Sequence, residues 1–232
     1  MIRLVFRTQP VNLSLEPYYT DRGPGRPSLG FDFVWNGART EECIAWHEVV
    51  KNLGPLRPAV PNTDFALEKT TMHAFVAKKT SNLPLVAYGK THSPSITRYS
   101  PQMAATFADM AATMPKTCVG GFATHTLRME SPSCSADHPD SVSPYRKPLK
   151  VVEILGFGVD EDAAPECIEW ARVSHDRINK SDVLLPESYL ALTASETMDL
   201  GAIYGSNLQE LKKLKREYDP DNVFKHSLPK LL

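Results

Sequence analysis

Residues 150–159, KVVEILGFGV, constrain the fold more than any other stretch of the chain. The run is dense in β-branched and aromatic side chains and short, which marks a strand buried in a sheet. A helix follows from about 163 to 178. An earlier stretch repeats that order. LGFDFVWNGARTEECIAWHEVV (29–50) and LGFGVDEDAAPECIEWARVS (155–174) each give a strand, a polar turn, and then E-C-I-x-W on a helix. The likeness points to an internally duplicated strand–helix unit.

The rest of the chain fills in around that unit. Ile2–Arg7 reads as a short strand, and EPYYTDRGPGRPSLG (16–30) as a loop or extended arm because of its Pro and Gly content. Phe31, Phe33 and Trp35 predict a strand. The helix after it takes Thr40 as N-cap and closes at Gly54-Pro55. Residues 70–78 and 84–92 read as two strands joined at Thr80-Ser81-Asn82. A helix is expected over 101–114, with Pro101 in its first turn. Residues 117–130 read as a strand whose paired glycines mark a bulge or a close approach. A polar loop spans 131–148. The predicted class is α+β: five to seven strands, mostly antiparallel and largely in one sheet, with helices on one face.

Composition removes several function classes. The 232 residues carry a net charge of −1, so nothing favours nucleic acid or an anionic membrane as partner. No apolar run approaches the roughly 20 residues of a membrane span. No signal peptide is read at the N terminus, which leaves the cytoplasm as the default location. Cys43, Cys118, Cys134 and Cys167 show no C-x-x-C spacing; Cys43 and Cys167 fall in helical apolar patterns and read as buried free thiols. Asp137, His138 and Asp140 resemble a metal cluster in composition only, and no metal is expected. Neither a G-x-S-x-G elbow nor an H-E-x-x-H helix is present, so hydrolase readings have no anchor.

The closing stretch, Ser206 to Phe224, is a well-punctuated helix. Ser206 and Gln209 have capping-box spacing. Leu208, Leu211, Leu214 and Tyr218 form one apolar stripe, and Lys212, Lys213, Lys215 and Arg216 sit in the half where the helix dipole favours cations. Asp219, before Pro220, ends it.

That string, L-x-x-L-K-x-x-Y-D-P-x-N-V-F, resembles the closing segment of berberine-bridge-enzyme-like FAD-linked oxidoreductases of the vanillyl-alcohol-oxidase superfamily. Trp170-Ala-Arg172, then Ser188-Tyr189-Leu190-Ala191, then Ala202-Ile203-Tyr204-Gly205 resemble that family's W-x-R, Y-x-N and Y-G-x-N succession. The likeness covers about 115–228. It implies a substrate domain (1–185) and a berberine-like segment (186–232) that would pack on a flavin domain. It implies FAD as cofactor, with Tyr189 and Asn222 as cofactor contacts. It also implies an oxidase that transfers hydride from a small organic substrate to flavin. Tyr189 is the candidate catalytic residue, as a base beside the flavin or as a packed tyrosine. Tyr88 and His125 are candidate substrate contacts. His125 shares a strand face with Ala123 and Leu127, and either lines a pocket or is a satisfied core histidine.

Two departures from the family matter. No Gly-rich pyrophosphate loop is found, Gly23-Pro24-Gly25 being the nearest run, so the flavin domain is expected to be missing. Ala191 replaces the Asn of Y-x-N and offers no donor. The alternative function is a non-catalytic domain that binds a small apolar ligand or a protein partner, with a separate flavin domain or a homodimer covering an exposed apolar face.

Overall fold

The computed structural model describes residues 9–20, 28–54, 66–81, 88–128, 134, 142, 147–193, 198–227 and 229–231. The class is α+β. Seven strands form one antiparallel sheet: β1 (Leu13–Thr20), β2 (Ser28–Trp35), β3 (Tyr88–His92), β4 (Pro94–Ile96), β5 (Gly121–Leu127), β6 (Leu149–Gly158) and β7 (Leu184–Ser188). Their order is β2-β1-β5-β6-β4-β7, with β3 also paired to β6. The helices are α1 (Glu41–Lys51), α2 (Met72–Thr80), α3 (Pro101–Ala112), α4 (Ala164–Asn179), α5 (Leu200–Tyr204) and α6 (Leu208–Tyr218). Among the described residues, those within 1–15 and 30–87 form one compact unit and those within 16–29 and 88–232 a second. Residues 186–232 therefore share a compact unit with 88–185.

In the first unit, Leu13, Leu15 and Val50 are buried together, with Phe33, Trp35, Trp46 and Leu53 packed on them. The hydroxyl of Thr40 accepts the Cys43 N–H at 3.2 Å and caps α1, as expected. Its other end differs slightly, Asn52 being the C-cap. Residues 72–80 are a helix and not a strand: Thr71 accepts the Ala74 N–H at 3.2 Å, and a capped start followed by Ala77-Lys78-Lys79 overrides the apolar run.

β6 is the axis of the second unit. Its pairing with β5 runs in register from Gly121↔Leu155 to Leu127↔Leu149. On its other side β3 and β4 follow one another. The pairs His92↔Ile154 and Ser95↔Val151 keep one register across the break, which sets Ser93 opposite Glu153. Alternate side chains of β6 (Val152, Ile154), with Phe122 and Ile96, pack against Met103, Met110 and Ala111 of α3 and Cys167, Trp170, Ala171 and Ile178 of α4. Trp170 Nε1 donates to the Met110 carbonyl at 3.0 Å and ties the two helices together. Cys43 and Cys167 are buried free thiols, as expected.

Close approach of α4 to the sheet depends on glycine. A Cβ on Gly156 would lie 2.5 Å from the Cys167 carbonyl oxygen and 2.6 Å from the Ala171 Cβ. Paired glycines at 120–121 do mark a close approach, since a Cβ on Gly120 would meet the Leu155 carbonyl oxygen at 1.8 Å.

Two sequence expectations are corrected here. Glu16–Thr20 is strand and not loop: it is the second half of β1, with Tyr18↔Ala123 and Tyr19↔Phe122 paired to β5. Pro17 hid it, because a proline argues against a strand interior although a strand tolerates one missing donor. Ser206 does not cap α6. A 3-10 turn at Gly205–Asn207 leads into the helix, and Asn207 makes no side-chain cap bond. The expected strand at 2–7, the Gly23-Pro24-Gly25 run and the Asp137–Asp140 cluster lie outside the described residues.

Candidate functional site

Cross-strand partners share a face of a sheet, so register sorts the candidate residues. The face that carries Val152 and Ile154 is filled by α3 and α4. The opposite face presents Glu153, its partner Ala123, and His125, the partner of Val151. Tyr18, opposite Ala123, lies on the same face, and so does Glu16 two residues before it.

His125 lies between two glutamates. Its Nε2 lies 3.1 Å from Glu153 Oε2 and its Nδ1 3.5 Å from Glu16 Oε2, with the imidazole side chain 43% exposed. Hydrogen bonding to Glu153, then to Glu16, raises its pKa to about 10 against the opposing effect of burial. At neutral pH it is an imidazolium held between two carboxyl groups. Glu153 is the more enclosed carboxylate, 17% exposed against 46% for Glu16.

Tyr189 comes directly after β7 and is 43% exposed. Its carbonyl accepts the Ser93 hydroxyl at 2.8 Å, the Thr193 hydroxyl at 2.8 Å and the Leu192 N–H at 3.0 Å. Ser93 is the residue opposite Glu153. Through it, the Tyr189 backbone is tied to the strand position opposite Glu153. Ala191 falls in the short 3-10 turn Leu190–Leu192.

Tyr88 does not join them. It pairs with Gly158, seven positions along β6 from Val151, the partner of His125. At about 3.3 Å per residue this separates the two by roughly 23 Å, and the odd spacing puts them on opposite faces. Asn222 stands apart as well. It is the positive-φ turn residue (φ 50), and its N–H donates to the Asp219 carbonyl at 3.1 Å. The Asp219 carboxylate in turn accepts the N–H groups of Val223 at 2.7 Å and Phe224 at 3.2 Å, and the Lys215 ammonium. The D-P-x-N string thus shapes a turn that closes on the Asp219 carboxylate. Arg172 of the W-x-R string is bound within its own helix, to Glu169 at 2.6 Å and Asp176 at 2.7 Å.

Sequence reasoning missed Glu16, Glu153 and Ser93. The only signal was the alternation of Glu153 within an apolar strand, and register decides whether such a residue has company.

FAD needs a cradle for its pyrophosphate, and the described residues do not form one. A Cβ at Gly89, Gly120, Gly156 or Gly158 would strike backbone or helix, so these glycines serve packing. Gly37, Gly54 and Gly205 are open but stand singly. No described group of three or more His, Cys, Asp or Glu residues is arranged to hold a metal ion. No described helix is long and apolar enough to cross a membrane.

The profile of the family "Berberine and berberine like" matches residues 197–229, which span α5, α6 and the Asp219 turn. Among solved structures, a variant of Physcomitrella patens BBE-like 1 superposes with a TM-score of 0.62 at 14% identity. The match covers 92% of this chain and 46% of that one. A chitooligosaccharide oxidase superposes with a TM-score of 0.53 at 13% identity, covering 96% of this chain and 49% of that one. At such identities the likeness speaks for the fold, and the chain spans about half the length of either structure. No curated protein matches the sequence. The closing segment, residues 197–229, is thus similar to the berberine-like family, and the chain as a whole shares its fold with these two solved structures.

Proposed function

We propose that this chain is the substrate-side half of an FAD-linked oxidoreductase that acts on a small organic substrate. The observation that carries the reading is the His125–Glu153 pair on the sheet face that α3 and α4 leave uncovered, with the Tyr189 carbonyl held by Ser93, the residue opposite Glu153. FAD, held by a flavin-binding domain outside the described residues, supplies the hydride acceptor.

The residues on this face have distinct tasks. Loss of hydride from a C–H bond beside a hydroxyl leaves a proton to be removed, which calls for a base within hydrogen-bond reach of that oxygen. Glu153 takes that role, and Tyr189 binds and orients the substrate from the neighbouring loop. The His125 imidazolium donates to Glu153 and holds its carboxylate in place. Tyr88 lies too far off to share this ligand, and Asn222 acts on the cofactor side only through the turn it shapes.

In this reading the C-terminal surface is the one that the flavin-binding domain covers. No residue of α6 is buried, and Leu214, Tyr218, Val223 and Phe224 are 39%, 79%, 72% and 69% exposed. Side chains of this size left bare in a row mark a surface made to be covered.

The test is spectroscopic. The 232-residue chain is mixed with FAD, and separately with FAD and the flavin-binding half of the moss BBE-like 1 protein, then desalted. A flavin band that travels with the chain in the second mixture, and that a primary alcohol bleaches without air, supports the reading. A colourless chain in both mixtures overturns it.

A further inference from the structure

We propose that Ser93 and Thr193 are positioning residues for Tyr189: their buried hydroxyls clamp its backbone so that the phenol is presented beside Glu153. The inference rests on the role given to Tyr189 above.

The clamp is assembled from distant parts of the chain. Ser93, at the break between β3 and β4, is 96 residues from Tyr189 and 1% exposed. Thr193 ends the segment after β7 and is 5% exposed. The two hydroxyl oxygens also touch each other, so the Tyr189 carbonyl and the two hydroxyls form a closed triangle. Each hydroxyl has one proton to give. Two protons serve three edges, so at least one always points at the carbonyl.

Satisfying a turn carbonyl does not explain the triangle. The Leu192 N–H already donates to that carbonyl at 3.0 Å, as the 3-10 turn requires. Two further hydroxyls withdrawn from water are surplus to that need, and burying a hydroxyl is costly unless it is bonded. They add a tie between the loop and the strand that faces Glu153.

A second feature of the backbone serves the same end. Pro94 pairs with Ser188 but Ser95 with Leu185, so Pro186 and Glu187 have no partner on β4. Such a bulge bends the strand and re-aims the residues beyond it. Tyr189 is the first residue past the strand. The bulge turns the chain end and the hydroxyl triangle then holds it.

The experiment uses the whole chain without flavin. All tyrosines are replaced by 3-fluorotyrosine, and the Tyr189 fluorine signal is assigned by its loss in Tyr189→Phe. The clamp predicts a narrow wild-type resonance displaced from that of free fluorotyrosine. Thr193→Val keeps the shape and removes the hydroxyl; with Ser93→Ala it is expected to move the resonance more than halfway to the free position. Thr193→Ser, which keeps the hydroxyl, restores the wild-type position. Amide spectra establish that the fold persists, and should the double variant fail to fold, Thr193→Val alone decides. An unmoved resonance in a folded clamp variant, or failure of Thr193→Ser to restore it, overturns the proposal. Because no cofactor takes part, this outcome is independent of whether the chain retains flavin.

Discussion

Asp219 gathers three donors on one carboxylate, the Lys215 ammonium and the N–H groups of Val223 and Phe224. Lys215 first, and the two amides after it, hold its pKa below the usual carboxylate range. A carboxyl with a depressed folded pKa stabilises the fold above its unfolded pKa, and that contribution is lost as pH falls through the lower folded value. The Val223 and Phe224 amides are therefore expected to stay protected from hydrogen exchange through ordinary carboxylate pH and to open only under stronger acid. In Asp219→Ala they exchange rapidly at every pH. His125 has the opposite sign. Its folded pKa, about 10, lies above the ordinary histidine value, so its ion pairs contribute fully below about 6.5 and fade as pH rises through about 10. An NMR titration of its ring should show an imidazolium still charged at mildly alkaline pH. Glu153→Gln should bring the midpoint down further than Glu16→Gln, in keeping with the shorter of the two contacts. A midpoint near the free-histidine value in the wild type would remove the charged trio from the site.

At the scale of the elements, α4 packs so closely on β6 that the contact admits no side chain at Gly156. Gly156→Ala puts a methyl against helix backbone at 2.5 Å, so α4 must lift or slide. The expected loss is about 1–3 kcal/mol in urea unfolding, the usual cost of overpacking. A loss below about 0.5 kcal/mol, the range of ordinary surface changes, would mean that the helix rides higher above the sheet. This strand and helix were also the most legible part of the sequence. Capping and punctuation are local, so Thr40, Pro101 and the apolar run of β6 announced themselves within a few residues. Two other elements were misread for equally local reasons. Pro17 disguised β1, and the apolar cluster Met72 to Val76 outweighed the cap at Thr71. The site was hardest to read. His125 could be placed on a strand, but its partner Glu153 lies 28 residues away, and Ser93 lies 96 from Tyr189. Strand register joins such residues, and no periodicity within one strand encodes its register against another.

At the scale of the molecule, the C-terminal segment looks outward. Its polar face is ordinary: Glu210 and Lys213 pair at 3.4 Å, and Lys215 turns back to Asp219. Its apolar stripe is only partly covered: Leu208 and Leu211 are half-buried, whereas Leu214, Tyr218, Val223 and Phe224 are exposed. The exposed apolar side chains contribute little to the helix, because most helical stability in proteins comes from packing such a face. Those side chains are therefore dispensable for the fold of this chain and costly to its solubility. Replacing Tyr218 by Asp together with Phe224 by Ser should leave the urea-unfolding free energy within about 0.5 kcal/mol of wild type, as for surface positions generally. The same change should lower the fluorescence of a bound apolar dye and reduce self-association in sedimentation. Under the proposed function it should also abolish retention of the flavin-binding half, while the His125 titration stays as in the wild type. A large loss of stability would place these residues in the chain's own core. Unchanged dye binding and association would mean that the exposed stripe is not the surface a partner covers.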